Sequence, residues 1–172
     1  MRAGAWAAAC VIGLALASTG LACGSGGGAK FAQVKSGAMP ANETWVGVYY
    51  NPVYGYLHIN EQDGAIVGRW KRTDASHWGE LSGTVEGNVF RFKWTEHKYG
   101  AIGPSADSHG TGVFAYKMGQ NNIAELGGQY ALDESDSVGD WNCIKQVGMK
   151  ADVNSINGDN PDTVPVAHDK WQ

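Results

Sequence analysis

Short stretches of alternating apolar and polar residues dominate the middle of this chain. Residues 81–94 read LSGTVEGNVFRFKW, with apolar or glycine residues at alternate positions before a Gly-Asn pair and aromatic residues at alternate positions after it. A period of two is typical of β-strands with one buried face, and a Gly-Asn pair between two such strands favours a two-residue hairpin turn. We therefore predict a β-hairpin that turns at Gly87 and Asn88.

This turn fixes which residues of the two strands face each other. It places Gly83 opposite Phe92, where the ring can cover the bare glycine backbone. The same face carries two further opposed pairs, Val85 with Phe90 and Leu81 with Trp94. The other face holds Ser, Thr, Glu, Arg and Lys side chains, so we expect the first face to be buried and the second to meet solvent.

Strand patterns of this kind recur eight times between residues 44 and 147, with Gly, Asn, Asp or Pro at their boundaries. Most connections are short, which predicts sequential hairpins, and closing eight strands into a ring removes the unpaired edges that favour aggregation. We therefore expect an all-β fold, a single eight-stranded antiparallel up-and-down barrel formed by residues 44–147. The predicted strands are 44–50, 54–60, 65–71, 80–86, 89–96, 110–117, 123–132 and 140–147.

The order of the predicted strands has three features: the first strand is TWVGVYY, the strands after it contain glycines, and the segment GDWNCIKQ comes late. Over residues 44–147 it resembles the eight-stranded meander barrels of the lipocalin and avidin type, a calycin-like arrangement. The resemblance implies a barrel that binds a ligand at its mouth or in its lumen. It implies no particular ligand.

The N-terminal residues have the pattern of an export signal. Arg2 precedes an uncharged, Ala-rich run that is too short to span a bilayer, and small residues follow up to Cys23. The segment STGLAC at residues 18–23 resembles the lipobox of bacterial lipoproteins, whose cysteine is lipidated and becomes the mature N-terminus. We therefore expect residues 1–22 to be a lipoprotein-type signal peptide. A lipid on Cys23 is expected to anchor the exported protein to a bacterial membrane of the cell envelope, at the outer membrane or a periplasmic face, and the pattern does not distinguish the inner from the outer membrane. The alternative is cleavage by ordinary signal peptidase without lipidation.

After removal of the signal peptide, two cysteines remain, Cys23 and Cys143. If Cys23 is acylated, Cys143 has no partner within the chain and is expected to be a buried, small apolar residue. If Cys23 stays free in an oxidising compartment, a disulfide between the two is the alternative. Neither case gives a disulfide framework, so the hydrophobic core must hold the domain together.

The sequence on either side of the predicted barrel lacks its periodicity. Residues 23–43 begin with a Gly/Ser-rich tether, and residues 148–172 form a polar extension rich in Asn and Asp.

The chain has a formal net charge of −4, without the excess of basic residues that is typical of nucleic-acid-binding proteins, so no nucleic-acid partner is expected. Basic residues in and near the third and fifth strands are expected to pair with Glu80 and Glu86 on the outer face. They are Arg69, Lys71, Arg72, Arg91 and Lys93.

Large residues on the inner face are candidates for a ligand site in the lumen. The interior of an eight-stranded barrel is either filled by side chains or holds one small molecule. Glu96 continues the inward column of Phe92 and Trp94, so its carboxylate is predicted to point toward the mouth as a polar contact for a ligand. Two alternatives stay open: the aromatic residues only fill the core, or the strand ends before Glu96, which is then exposed at the rim. The candidate ligand-binding residues are Trp70, Phe92, Trp94, Glu96 and Tyr116.

The connection HKYGAIGPSADSH, at residues 97–109, is the longest in the barrel and exceeds the usual length of a hairpin loop. A long loop at a barrel mouth commonly closes the site or contacts a partner. Its candidate contact residues are His97, Tyr99 and His109, and the alternative is a disordered loop. The spacing of the histidines and Asp107 matches no established metal site, so no metal or cofactor is expected.

Motifs that carry catalysis are missing from the barrel sequence. The G-x-S-x-G, H-E-x-x-H and phosphate-loop patterns do not occur, and Glu96 alone among the acids is placed inward. We therefore expect a non-catalytic binding module of the cell envelope that takes a small apolar or aromatic ligand. The alternative is a protein that binds an envelope protein through its loops, as small barrel inhibitors of proteases or lysozymes do.

Overall fold

The computed structural model describes residues 31, 33–103, 105–135 and 137–158. Within these residues the chain is all-β, with nine strands and one short 3₁₀ helix, Val153–Ser155. The strands are β1 (Gly47–Asn51), β2 (Gly55–Gln62), β3 (Ala65–Lys71), β4 (His77–Glu86), β5 (Val89–Lys98), β6 (Asp107–Met118), β7 (Ala124–Leu132), β8 (Val138–Asp140) and β9 (Cys143–Lys145).

The predicted signal peptide, residues 1–22, and the predicted lipidation site Cys23 lie outside the described residues. Among the residues that are described, no helix is long and apolar enough to cross a membrane. The export and anchoring of the chain therefore stay predictions from the sequence.

Eight of the strands close into an antiparallel barrel, as predicted. Each strand from β1 to β7 pairs with the next one in sequence, and β9 pairs with both β7 and β1 to close the ring. The short strand β8 also pairs with β7 but lies outside the ring. The structure therefore has two short strands where the sequence predicted a single one over 140–147.

The hairpin at Gly87 and Asn88 has the predicted register. Gly83 pairs with Phe92, and the two further pairs, Val85 with Phe90 and Leu81 with Trp94, are also present. Phe92 and Trp94 are buried in the core, whereas Lys93 between them is exposed. The prediction that this hairpin turns its rings inward and its charges outward is confirmed.

Glycines on the inner face make room for aromatic rings. Phe92 lies between Gly83 of β4 and Gly112 of β6, which are its partners on either side. A methyl group at Gly112 would overlap the Phe92 ring, and one at Gly128 would overlap the Phe114 ring. The pairing of rings with glycines therefore lets a narrow barrel enclose several aromatic side chains.

The end of the barrel at which β4 turns into β5 is closed by side chains. Trp45 packs edge-on against Tyr116, with 5.3 Å between the ring centroids. Tyr116 donates a hydrogen bond to Glu43 Oε2, and Lys145 Nζ donates to the same oxygen at 3.1 Å. The hydrogen bond from Tyr116 lowers the pKa of Glu43, so the carboxylate is charged at neutral pH. This network joins the residues before β1 to the last strand.

Residues that precede β1 cover part of the outer wall. Phe31 packs against three outward-facing residues of β5, β6 and β7, namely Val89, Val113 and Ala131. The Arg91 guanidinium donates hydrogen bonds to the backbone oxygens of Phe31 at 3.0 Å and Val34 at 2.6 Å. Arg91 therefore binds this N-terminal segment, where the sequence had predicted a pair with a glutamate on β4.

Residues that follow β9 cross the outer face of β2 and β3. Val153 and Ile156 are buried there, and the Ile156 carbonyl oxygen accepts a hydrogen bond of 3.2 Å from Arg69 Nη1. His58 lies beneath this segment and is 4% exposed. Its Nδ1 is 2.9 Å from the Asp152 carbonyl oxygen and 3.1 Å from the Asp152 nitrogen, so it hydrogen-bonds the segment in either tautomer.

We expect the free energy of unfolding to fall as the pH drops below about 6.5, because His58 is buried in its neutral form. Desolvation lowers the pKa of His58 from its ordinary value of 6.5, and its Nε2 has no hydrogen-bond partner among the described residues. The unfolded chain therefore binds a proton at a higher pH than the folded one, and stability is lost on acidification by at most about 1.4 kcal/mol per pH unit.

Denaturant unfolding between pH 5 and pH 8 checks this expectation, with His58→Asn as the test variant and the exposed His109→Asn as its control. The His58→Asn protein should lose less stability on acidification than the other two proteins. Parallel pH profiles for all three would show that His58 is not held neutral by the fold.

Candidate functional site

A cavity of about 190 Å³ opens at the end of the barrel opposite the Gly87 turn, where the β1–β2, β3–β4 and β5–β6 loops lie. Five aromatic residues form most of its wall: Tyr54, Trp70, Trp94, Tyr130 and Trp141. Its polar groups come from Arg72, Glu96 and Ser108. An apolar concave wall with a few polar groups is the usual composition of a small-molecule site.

Trp141 separates this cavity from the packed centre of the lumen. Its ring centroid lies 5.2 Å from that of Phe114 and 6.1 Å from that of Phe92, both in edge-on contact. On the cavity side it lies 5.1 Å from the Tyr54 ring and 4.9 Å from the Trp70 ring. The centre of the barrel is therefore filled by aromatic packing, and the cavity begins beyond Trp141.

The break between β8 and β9 positions Trp141. Its backbone N–H donates to the Gly128 carbonyl oxygen at 2.9 Å, whereas the Gly128 N–H donates to the side-chain Oδ1 of Asn142 at 3.1 Å. The Asn142 carbonyl oxygen accepts a hydrogen bond of 2.6 Å from the Asn51 side chain. Side-chain amides thus satisfy backbone groups where the strand is interrupted, and the chain can turn the Trp141 ring into the lumen.

The polar part of the cavity is an ion pair between Arg72 and Glu96. Arg72 Nε and Nη2 donate to the two carboxylate oxygens at 2.8 Å and 2.6 Å, and Trp70 Nε1 donates to Oε1 at 3.2 Å. Only 8% of Glu96 is exposed, so these donors compensate a charge that has lost most of its water. The hydrogen bond with Glu96 raises the pKa of Arg72, and the pair as a whole carries no net charge.

Arg72 is one of several cavity residues that were not among the predicted ligand-binding residues. The sequence predicts that it belongs to the outer basic residues, of which Arg69 does pair with Glu80, at 3.3 Å. Arg72 instead pairs with the inward-facing Glu96. It follows β3 two positions after Trp70, which faces inward, so the period of the strand was a signal that favoured the inner face.

Two tyrosine hydroxyl groups lie together in the cavity wall. Tyr54 Oη donates a hydrogen bond of 3.0 Å to Tyr130 Oη, and the two rings meet edge to face. The Arg72 guanidinium lies 5.6 Å from the centroid of the Tyr54 ring, in a cation–π contact. Burial raises the pKa of Tyr54 well above its ordinary value, so its hydroxyl is protonated at neutral pH.

Of the five predicted ligand-binding residues, three line the cavity: Trp70, Trp94 and Glu96. Because β5 continues to Lys98, Glu96 lies within the strand and not at an exposed rim. Phe92 lies deeper, with its ring centroid 4.8 Å from that of Phe114. Tyr116 is at the closed end of the barrel, bound to Glu43. The cavity therefore occupies one end of the predicted inner column and not its whole length.

The long connection after β5 is shorter than predicted, because both flanking strands continue into it. The loop proper spans residues 99–106, and His97 pairs with Asp107 in the ladder between β5 and β6. His97 and His109 are therefore strand residues, and of the three predicted contact residues only Tyr99 lies in the loop.

Two of the three predicted contact residues, His97 and Tyr99, contact the outer surface of the protein, whereas the side chain of His109 is exposed. His97 stacks on Trp78 with 4.4 Å between the ring centroids, and its Nδ1 lies 2.8 Å from Asp107 Oδ1. Tyr99 donates a hydrogen bond of 3.0 Å to the Asn157 carbonyl oxygen of the C-terminal segment. These contacts tie the loop to the barrel wall and to the residues that follow β9.

Cys143 is buried in the core, and its thiol is bonded to no other cysteine among the described residues. Burial raises its pKa to about 12, so it stays protonated and behaves as a small apolar residue. Its alternative disulfide partner, Cys23, lies outside the described residues. Across the described ranges, no group of three His, Cys, Asp or Glu side chains is placed to hold a metal ion.

A larger groove, of about 320 Å³, lies on the outer wall between β3–β5 and the 3₁₀ helix. Its charged residues include Arg69, which is engaged by Glu80 and by the Ile156 carbonyl oxygen. This groove lacks the cluster of aromatic rings and the buried ion pair that the cavity at the loop end combines. We therefore take the cavity at the loop end as the candidate site.

Comparison of the chain with protein-family models finds no matching family, and neither the curated proteins nor the solved structures provide a match. The closed eight-stranded antiparallel barrel is consistent with a calycin-like layout. The geometry of the cavity is therefore the main structural indication of function.

Proposed function

We propose that this chain is an exported, lipid-anchored binding protein of the bacterial cell envelope, which holds a small apolar or aromatic ligand in the cavity at the loop end of its barrel. The observation that carries the proposal is the cavity itself, in which aromatic walls surround a buried ion pair beyond the packed centre. The signal-like residues 1–22 and the lipobox-like segment before Cys23 support export and anchoring. The function is binding without catalysis.

The size of the cavity limits the ligand. Its volume of about 190 Å³ is below the range of roughly 300–1,000 Å³ that is usual for sites of drug-sized ligands. The ligand that fits this space is therefore a compact molecule built around one ring. Aromatic walls would contact the faces and edges of such a ring.

Filling the mouth of the cavity is expected to weaken ligand binding by roughly tenfold or more. Leu132 lines the mouth and is 41% exposed, so Leu132→Trp would place a large ring in the cavity without disturbing the packed centre. Val147, 82% exposed beyond the end of β9, gives the matched control Val147→Trp. Calorimetric titration with single-ring compounds such as toluene and benzamide should show a loss of roughly tenfold or more in affinity for Leu132→Trp, and no loss for Val147→Trp. Equal binding by both variants and the wild type would place the ligand outside the cavity.

A second candidate function is binding of an envelope protein through the loops around the mouth. Exposed apolar side chains occur in two loops and one short strand at this end of the barrel: Val53 before β2 at 60%, Ile102 between β5 and β6 at 99%, and Val138 at the start of β8 at 44% exposed. Exposed apolar side chains at one end of a barrel can contribute to a protein–protein contact. If this function is correct, Ile102→Asp should prevent capture of an envelope protein without changing the binding of single-ring compounds.

A further inference from the structure

The Arg72 guanidinium has an unused edge. Nε and Nη2 form the side of the guanidinium that binds Glu96, in two short hydrogen bonds. The opposite edge consists of Nη1 and the second N–H of Nη2, and no acceptor among the described residues bonds to Nη1. About 30% of the Arg72 side chain is exposed, in the mouth of the cavity. A planar guanidinium can bind two acceptor groups at once through two such edges.

The other polar groups of the cavity are also donors. Tyr130 accepts the hydrogen bond from Tyr54, which leaves the Tyr130 hydroxyl proton to be donated. The Ser108 hydroxyl lies in the lining, and no side-chain hydrogen bond ties it to another described residue. Glu96, the acidic group of the lining, already accepts three N–H groups from Trp70 and Arg72. The cavity therefore offers donors to a ligand and no uncommitted carboxylate.

We infer that the ligand of this cavity is a small single-ring compound that carries a carboxylate, bound by the open edge of Arg72 while its ring lies against Trp94, Tyr130 and Trp141. A carboxylate matches the two parallel N–H groups of a guanidinium edge, and such bidentate pairs are stronger than neutral hydrogen bonds. A cationic ligand would be repelled by Arg72 and would find no free carboxylate in the cavity lining, because Glu96 is already bound by Arg72 and Trp70. The inference rests on the proposed function, because it names the ligand class of the same site.

Three isosteric probes test this ligand class: benzoate, benzamide and benzamidinium, with toluene as the apolar reference. Calorimetry on the wild-type protein at neutral pH should show benzoate binding roughly tenfold more tightly than benzamide, and benzamidinium binding most weakly of the three. Equal affinities for the charged and neutral probes, or a preference for benzamidinium, would overturn the inference and leave the proposed function standing. Failure of all four compounds, toluene included, would overturn both.

Variants at Arg72 separate recognition from folding. Arg72→Lys keeps the positive charge beside Glu96 but removes the second edge, so it should lose the roughly tenfold preference for benzoate while toluene binds unchanged. The double variant Arg72→Gln with Glu96→Gln removes both charges together and should bind benzoate no better than benzamide. Arg91→Lys, on the outer wall, is the control and should keep the wild-type preference. A benzoate preference retained in Arg72→Lys and in the double variant would contradict recognition by Arg72.

Discussion

Replacing Gly128 with alanine is expected to destabilise the barrel by about 2 to 3 kcal/mol, as is usual when a packed core must accept an extra methyl group. The methyl group at Gly128 would overlap the Phe114 ring and the Trp141 carbonyl oxygen. Because one of these neighbours is backbone, a rotation of side chains cannot relieve the overlap. The Phe114 ring packs against the Trp141 ring, and the second neighbour belongs to the Trp141 backbone, so the added methyl group should displace Trp141 and reduce the affinity for single-ring ligands.

The adjacent residue provides a matched control. Gly127 faces outward, and a methyl group there would have one neighbour, the Ala115 carbonyl oxygen at 3.9 Å. Gly127→Ala should therefore leave the free energy of unfolding unchanged or raise it by up to about 1 kcal/mol, since alanine is less flexible than glycine in the unfolded chain. Urea denaturation of both variants measures the difference. Equal losses at the two positions would contradict the assignment of inner and outer faces.

Replacing Arg72 with methionine is expected to cost about 2 to 4 kcal/mol of folding free energy, because it leaves the buried carboxylate of Glu96 without its ionic partner. Trp70 Nε1 would be the remaining hydrogen-bond donor to Glu96 of the three in the wild type.

Two further variants show that the loss comes from burial and not from a missing ion pair alone. Arg72→Met combined with Glu96→Gln removes the isolated charge and should recover at least half of the lost stability. Lys117→Met breaks the exposed pair between Lys117 and Glu125, whose side chains are 62% and 34% exposed, and should cost at most about 1 kcal/mol. If Arg72→Met were no more destabilising than Lys117→Met, Glu96 would not be buried as the structure places it.

The sequence predicted the barrel wherever strand periodicity was strong. The Gly-Asn turn set the pairing of Gly83 with Phe92, and the same alternation placed Trp94 and Glu96 in one inward column. A two-residue turn restricts the register of the two strands that it joins, and so does the pairing of glycines with aromatic rings. The local sequence is therefore sufficient to predict which residues pair. Part of the candidate site could be predicted for this reason.

The rest of the site depends on contacts between segments that are distant in sequence. Trp141 enters the lumen because the chain is interrupted between β8 and β9, where the Asn142 side chain accepts a hydrogen bond from the Gly128 N–H. No periodic pattern in the sequence predicts this interruption. Arg72 lies one residue beyond the end of β3. It continues the inward alternation of the strand, but a strand pattern that ends at Lys71 does not predict this. Polar residues such as Asp107 and Ser108 extend β6 through pairing with β5, although their own sequence has no strand pattern.

The end segments illustrate the same limit. Outward-facing residues such as His58 and Val89 are buried, because the segments that precede β1 and follow β9 cover them. Alternation within a strand indicates which way a side chain points. It does not indicate what lies above that side chain, because this depends on where the ends of the chain return to the surface.

The most direct test of the ligand cavity uses the indole N–H signals of the tryptophans as position-specific probes. In an NMR titration with benzoate, benzamide and toluene, the signals of Trp70, Trp94 and Trp141, which line the cavity, should shift with a common saturation curve. The signals of Trp45, at the closed end, and Trp78, on the outer wall, should stay unchanged. Shifts at Trp45 or Trp78 without shifts at the three cavity residues, or no shift with any of the compounds, would contradict a binding site at the loop end of the barrel.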